Sequence, residues 1–98
     1  MRQTRQLERV VKGFANHRRI EIMMLLEKKP ELSLFEIADE LKINFKTASE
    51  HTRRLAYAGV VFKRNEGSAV RHALSPVGKS ILKFLRTLEQ GMRERTWV

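Results

Sequence analysis

Apolar residues in the first quarter of the chain recur at the spacing of amphipathic helices. Leu7 and Phe14 bound a stripe at positions i, i+3, i+4 and i+7, and Gly13 is expected to break this helix near its end. A second helix is expected to begin at Asn16, a good N-cap residue. Its run IEIMMLL at 20–26 is apolar enough to be buried on most sides. These segments predict a helical core.

A short helix, a tight turn and a longer second helix are predicted next. Ser33 and Glu36 have the spacing of a capping box at the start of a helix over SLFEIADEL. Only two residues separate that helix from Asn44, a second cap residue, after which a helix can continue to Gly59. Ala38 is small enough to let the two helices cross closely. The pattern favours a helix-turn-helix, with a plain helical hairpin as the alternative.

Two β-prone runs follow directly, VVFKR at 60–64 and AVRHAL at 69–74. They flank NEGS, whose Asn and Gly favour a turn, so they predict a β-hairpin. The alternation of the second run places His72 on the core side of this hairpin. Ser75 and Pro76 then have the character of the N-cap and first residue of a last helix. A hairpin directly after a helix-turn-helix is a wing, and the predicted fold class is mainly α with a small β-hairpin wing.

Charge is distributed unevenly over the 98 residues, whose formal net charge is +9. Residues 1–19 hold six basic and one acidic residue, whereas 20–41 hold two and six. Residues 42–86 hold ten basic and two acidic residues, and 87–98 are neutral. Because a surface that serves only solubility usually mixes its signs, this concentration favours binding to a polyanion, with nucleic acid first and an anionic membrane surface second.

In the order and spacing of its segments the chain resembles winged helix-turn-helix transcriptional regulators of the ArsR-like and MarR-like type. The segments are FANHRRIEIMMLL, LSLFEIADELKINFKTASEHTRRLAYAGVV, a hairpin with EG at its tip, and ALSPVGK, and the resemblance covers about residues 14–85. It implies a homodimer, most often a repressor, that places helix 44–58 in adjacent major grooves of a two-fold symmetric operator. The wing, 60–74, would follow the backbone or the minor groove.

The side chains of a helix in a major groove that reach the bases come from its N-terminal half. Lys46 and Arg53 can bind guanine edges or phosphates, and Phe45 can contact a thymine methyl group. Thr47 can bind a phosphate or a local backbone group. The candidate DNA-binding residues on the helix are Asn44, Phe45, Lys46, Thr47, Ser49, Glu50, Arg53 and Arg54, and those on the wing are Lys63, Arg64, Ser68 and Arg71.

Three charged side chains near this surface are assigned other roles. Glu50 precedes Arg53 and Arg54 by three and four positions, so it is expected to orient an arginine rather than to accept from a cytosine amino group. At Arg18 and Arg19, pairing of an arginine with the acidic segment 36–40 is expected, with phosphate contact as the alternative.

The resemblance also implies that the first and last helices form the dimer contact. We therefore predict a single domain over 1–98, with dimerisation helices in 1–13 and 76–98. The alternative is that both apolar stripes cover the core of their own protomer. The candidate dimer-interface residues are Leu7, Val10, Val11, Phe14, Ile81, Leu85, Leu88 and Met92.

Several functional classes are disfavoured by the sequence. It contains no glycine-rich phosphate loop, Ser/His/Asp ordering or carboxylate pair in an apolar setting, so neither an enzyme nor a cofactor is predicted. Metal sensors among the ArsR-like regulators that it resembles usually bind metals through cysteines or His/Asp clusters. This chain has no cysteine and scattered histidines, so no metal site is predicted, and His51 is expected to pack or to contact phosphate.

No run of about 18 apolar residues is present, and MRQTRQLERV is too polar for a signal peptide, so we expect a cytoplasmic protein. The alternative function is a winged-helix protein-interaction module of a transcription or nucleic-acid-processing assembly. Such a module would expose apolar residues on the wing and second motif helix. Binding of single-stranded nucleic acid is a third reading, although one Trp and one Tyr offer few stacking surfaces. The sequence does not identify a small-molecule effector.

Overall fold

The computed structural model describes residues 1–94. Residues 95–98, the end of the predicted dimerisation segment 76–98, lie outside this range. Five helices and one antiparallel hairpin follow in the predicted order, so the fold class is confirmed. Helix α4 is slightly shorter than the predicted 44–58. The elements are α1 Thr4–Phe14, α2 His17–Lys28, α3 Leu34–Leu41, α4 Phe45–Tyr57, β1 Val61–Glu66, β2 Ala69–Leu74 and α5 Pro76–Glu94.

Side-chain caps begin four of the helices where the sequence predicts them. The Oδ1 atoms of Asn16 and Asn44 each accept two backbone N–H groups of the following turn. Ser33 and Glu36 form the complete capping box of α3. The Ser75 hydroxyl accepts the Gly78 N–H at 3.0 Å, which caps α5. Because each cap satisfies backbone donors that have no partner within the helix, these residues fix where the helices begin.

A single cluster of buried side chains draws on all seven elements. Helix α2 contributes most to it, with Ile22, Met23 and Leu26 all at most 1% exposed. Met24 faces outward, so α2 is buried on most sides but not all. The other apolar members are Phe14, Ile37, Ala38, Ala48, Leu55, Ala58, Val60, Val61, Leu74, Ile81 and Leu82.

Gly13 does not break α1, which continues to Phe14. Its role is instead a close helix crossing, since a Cβ atom at this position would lie 2.4 Å from the Cβ of Ala58 at the end of α4. The expectation of a break is therefore wrong. In a helix the missing side chain of a glycine can serve packing rather than chain reversal.

The helix-turn-helix is formed by α3 and α4. Ala38 of α3 and Ala48 of α4 are both small and buried in the core, and Ile43 packs against the core from the turn. The turn begins with Lys42 in the left-handed conformation, at φ 56°, and the Ile43 N–H donates to the Ala38 carbonyl at 3.0 Å. This packing holds α4 at a fixed angle to α3 with its opposite face outward.

The wing pairs β1 with β2 from Val61 opposite Leu74 to Glu66 opposite Ala69. Gly67 opens the two-residue turn at φ 62°, a conformation that favours glycine. Leu32, in the loop before α3, forms an additional antiparallel bridge with His72. The wing is thus attached to the helix-turn-helix through the backbone of that loop.

His72 is 1% exposed, which confirms that it faces the core. Its Nδ1 lies 2.8 Å from the Leu32 carbonyl oxygen, which can only accept, so Nδ1 carries the proton. Burial lowers the pKa of His72 below its ordinary value of 6.5; the Leu32 hydrogen bond opposes this shift, and Lys63 adds to it.

The unfolded chain therefore binds a proton at His72 more readily than the folded protein does. Stability due to this site is present above pH 6.5 and is lost as the pH falls below it, by at most about 1.4 kcal/mol per pH unit for one proton. Urea unfolding from pH 7.5 to 5.5 should show this loss. His72→Asn, which keeps a donor for Leu32, should be less stable but less dependent on pH. An equal pH dependence in both proteins would contradict the assignment.

Candidate nucleic-acid interface

The predicted reading surface of α4 lies opposite its buried face. Ala48, Thr52 and Leu55 point into the core, at most 1% exposed. Ser49 is half-buried, and the remaining candidate residues are exposed. These exposed residues are Asn44, Phe45, Lys46, Thr47, Glu50, Arg53 and Arg54.

The cations on this surface have no intramolecular partner among the described residues. No carboxylate of residues 1–94 lies within 4.0 Å of Lys46, Arg53 or Arg54. The expected ion pair between Glu50 and an arginine is therefore not formed. An exposed pair of this spacing stabilises a helix by only about 0.2–0.5 kcal/mol, too little to fix two long side chains. The three cations remain available to an external anion.

An aromatic pair lies at the start of the helix-turn-helix motif. The rings of Phe35 in α3 and Phe45 in α4 have centroids 4.6 Å apart and planes tilted by 31°. Phe35 is 73% exposed and Phe45 is 43% exposed. Phe35 was not among the predicted site residues. Its signal in the sequence is that it falls outside the apolar stripe that α3 buries, beginning at Leu34 and Ile37.

Arg19 of α2 connects α1 and α4 behind the predicted reading surface. Its Nε donates to Nδ1 of His51 at 3.1 Å, and its terminal nitrogen lies 3.2 Å and 3.3 Å from the carbonyl oxygens of Lys12 and Gly13. Arg18 pairs with Glu21 of its own helix at 3.0 Å. The predicted pairing of an arginine at these positions with segment 36–40 is wrong, because the unpaired carbonyls at the end of α1 are nearer acceptors for Arg19.

His51 accepts the Arg19 hydrogen bond and therefore has no proton on Nδ1. Burial, followed by the charge of Arg19, lowers the pKa of His51. Both effects favour the neutral imidazole at pH 7. His51 thus positions α4 through Arg19, in agreement with the predicted packing role.

The two wing arginines differ from those of α4 because both already have carboxylate partners. Arg64 donates to Glu31 and lies 3.5 Å from Glu66. Arg71 lies 3.4 Å from Glu66 and 3.7 Å from Glu36. These contacts tie the wing to the loop that precedes α3. Exposed pairs of this kind stabilise by about 0–1 kcal/mol, so a phosphate can still compete for either arginine.

The other two wing candidates, Lys63 and Ser68, are exposed. Within the described part of the chain, no carboxylate approaches Lys63 within 4.0 Å. Lys63 is consequently the wing cation that can bind a phosphate without giving up an ion pair.

The predicted dimer residues divide into two groups. Phe14 and Ile81 are buried in the protomer's own core, at 8% and 9% exposed. Val10 and Leu85 are half-buried against it. The remaining four are exposed apolar side chains of the two terminal helices: Leu7, Val11, Leu88 and Met92.

Two apolar grooves follow α5. One, of about 420 Å³, lies between α1 and α5 and is floored by Phe14 and Ile81. The other, of about 350 Å³, lies between α2 and α5 and includes Met24, Leu88 and Met92. Apolar surface thus flanks α5 both toward α1 and toward α2.

Within residues 1–94, no three His, Asp or Glu side chains converge as metal ligands. None of the helices in that range combines the length and apolar character required to cross a membrane.

Comparison with known proteins identifies the family. The model for bacterial regulatory proteins of the arsR family matches residues 16–63. The homodimeric winged helix-turn-helix DNA-binding domain Mb0332 from Mycobacterium bovis is similar in structure, with a TM-score of 0.81 and 27% identity, covering 97% of this chain and 88% of that one. No match is found among curated protein sequences.

Two further solved structures are similar. The transcriptional regulator HlyU from Vibrio vulnificus is 30% identical, with a TM-score of 0.70, and the match covers 87% of this chain and 88% of that one. The transcriptional repressor PagR of Bacillus anthracis, at 23% identity, shares the fold with a TM-score of 0.76 over 84% of this chain and 94% of that one. The predicted resemblance to ArsR-like regulators is confirmed, and the chain belongs to the ArsR family of winged helix-turn-helix transcriptional regulators.

Proposed function

We propose that this DNA-binding regulator is a homodimeric repressor that acts in the cytoplasm and reads double-stranded DNA by sequence. Helix α4 of each protomer enters a major groove, and the wing follows the backbone. The roles of individual residues below are part of this proposal.

The free cations of α4 are the observation that carries the proposal. Lys46, Arg53 and Arg54 share the exposed surface of one helix and have no carboxylate partner among the described residues. Both wing arginines, by contrast, take part in the nine ion pairs formed within residues 1–94. Since unpaired cations on a rigid helix attract phosphates and guanine edges, α4 has the chemistry of a recognition helix.

Around these cations we assign polar contacts to neighbouring residues. The side chain of Asn44 accepts two backbone N–H groups, which leaves its NH₂ group free to donate. Thr47 and Ser49 provide hydroxyl groups for phosphate or base contacts. In the wing, Lys63 provides the main phosphate contact and Ser68 a weaker one.

We assign the dimer contact to the exposed apolar side chains of α1 and α5. Leu7 and Val11 on α1, and Leu88 and Met92 on α5, form apolar surface that the protomer itself does not cover. The homodimeric state of the relative Mb0332 supports dimerisation as such. Two copies of α4 related by a two-fold axis would read half-sites about one helical turn apart, or a multiple of it.

A protein-interaction module is the second candidate because the wing and α4 also expose apolar side chains. Phe62 and Val70 of the wing are 57% and 40% exposed, and Tyr57 of α4 is 74% exposed. Membership of the ArsR family and the free cations of α4 favour DNA.

Selection from a pool of randomised duplexes tests the proposal. We expect the wild-type protein to enrich a sequence with two inverted half-sites, and hydroxyl-radical footprinting to show symmetric protection of both. The spacing of the half-sites should be about 10–10.5 base pairs or a multiple of it. Failure to enrich any sequence would contradict sequence-specific binding, and enrichment of a single isolated half-site would contradict the homodimer.

A further inference from the structure

Phe35 and Phe45 form an exposed aromatic pair that the fold does not require. Neither ring belongs to the buried core or to the partly buried side chains that pack against it. Their rings contact each other at a centroid distance of 4.6 Å, yet Phe35 remains 73% exposed. Mutual contact therefore covers only part of the apolar surface, and most of Phe35 is left to solvent or to a partner.

The pair is located where the proposed recognition helix begins. Phe45 is the first residue of α4 and Phe35 the second residue of α3, so their contact joins the N-terminal ends of both motif helices. The Asn44 cap already satisfies the N–H groups of Lys46 and Thr47. The start of α4 therefore presents the exposed Phe45 ring beside the unpaired Lys46, rather than free backbone donors.

This combination defines the chemistry of the partner. The partner must provide an apolar group for the rings and, next to it, an anion for Lys46. In the major groove, thymine presents a C5-methyl group on the base edge, and phosphates border the groove. Cytosine lacks that methyl group, so an apolar contact here distinguishes the two pyrimidines.

We propose that Phe45 reads the C5-methyl group of one thymine in each half-site, and that Phe35 is a positioning residue that holds the Phe45 ring. This proposal rests on the proposed function and deepens it, because it assigns a base preference to one position of the operator. The partner that covers the aromatic pair is duplex DNA, because Phe45 adjoins Lys46, one of the free cations of α4.

Replacing single thymines with deoxyuridine tests the proposal because it removes only the methyl group and keeps base pairing. The probe is the duplex that the wild-type protein selects, and affinity is measured by fluorescence anisotropy at constant salt. At one thymine position in each half-site, removal of the methyl group should lower the affinity for the duplex about fourfold, the factor expected for one methyl-sized apolar group. The other thymines should be insensitive.

Variants of Phe45 and Phe35 test whether the methyl effect depends on the aromatic pair. Phe45→Ala should bind the thymine and deoxyuridine duplexes equally, and Phe35→Ala should reduce the fourfold difference between them. Phe62→Ala is the matched control, because this phenylalanine is 57% exposed but lies on the wing. It should preserve the full fourfold methyl effect. Circular dichroism of each variant confirms folding, and the scan with the wild-type protein requires no variant.

Each outcome separates this proposal from the proposed function. If the wild-type protein binds a selected duplex but all thymines tolerate deoxyuridine, the methyl-reading role is overturned and DNA binding stands. A methyl effect that persists in Phe45→Ala also overturns it, as does a selected half-site without thymine. If no duplex is bound, the proposed function itself fails.

Discussion

Gly78→Ala should lower the free energy of unfolding by about 1–3 kcal/mol, the usual cost of forcing an added carbon into a packed site. A Cβ atom at this position of α5 would lie 2.4 Å from the Val60 carbonyl oxygen and 2.8 Å from a methyl carbon of Leu74. The first of these atoms is backbone at the base of the wing, where Ser75 donates its N–H to the same carbonyl and its hydroxyl to the neighbouring Gly59 carbonyl. Because that carbonyl cannot move without disturbing these bonds, the strain should fall on the junction of α5 and the hairpin. Urea unfolding monitored by circular dichroism measures the change.

Gly91→Ala is the matched control in the same helix. Nothing lies within 4 Å of a Cβ atom at Gly91, so alanine there should raise the free energy of unfolding by about 0.5–1 kcal/mol through its higher helix propensity. The two substitutions are chemically identical and should change the free energy of unfolding in opposite directions. Equal stability of Gly78→Ala and the wild type would show that α5 does not approach the wing as closely as the structure indicates.

Lys46→Ala combined with Arg53→Ala should weaken binding of the selected duplex roughly 1000-fold. In a homodimer this double variant removes four side chains, and each contact to a phosphate or guanine edge contributes about 1 kcal/mol or more. Neither cation forms an ion pair within residues 1–94, so the fold should lose little. Fluorescence anisotropy titration at constant salt gives the affinity, and urea unfolding checks that stability is retained.

The control for this variant is Lys28→Ala combined with Lys83→Ala. It removes the same charge from exposed positions on α2 and α5, away from the proposed reading surface. It should weaken binding much less, through the general field alone. Equal losses in the two double variants would mean that net charge, rather than α4, is responsible for binding.

The helices, their caps and the hairpin were predictable because each depends on residues close together in the chain. Asn16, Ser33 and Asn44 cap helices through contacts that span at most three residues. The position of His72 followed from strand alternation. Such local signals were sufficient to predict the order of elements and, with it, the surface of α4 that faces outward.

Contacts between distant segments were less predictable. Arg64 pairs with Glu31, 33 positions away, and Arg71 donates to the carbonyl oxygen of that same residue. Nothing in the sequence distinguishes these wing arginines from Arg53, which has no such partner among the described residues. Charge alone therefore identified the basic region but not which cations in it are free.

Apolar stripes have a related ambiguity. Phe14 and Ile81 have the same helical spacing as Leu7 and Leu88, yet the first two fill the core and the last two are exposed. Periodicity shows that a face is buried without showing by which chain. Phe35 was missed for the opposite reason, since it lies outside any stripe and its packing on Phe45 depends on how α3 and α4 cross.

The salt dependence of duplex binding is the measurement that tests most directly whether the free cations of α4 bind DNA. Plotted as the logarithm of the binding constant against that of salt concentration, the slope should be steeply negative for the wild type. It should become shallower in Lys46→Ala with Arg53→Ala, by about 0.9 for each phosphate contact removed. A slope near zero for the wild type, or an unchanged slope and affinity in the double variant, would contradict DNA binding through α4.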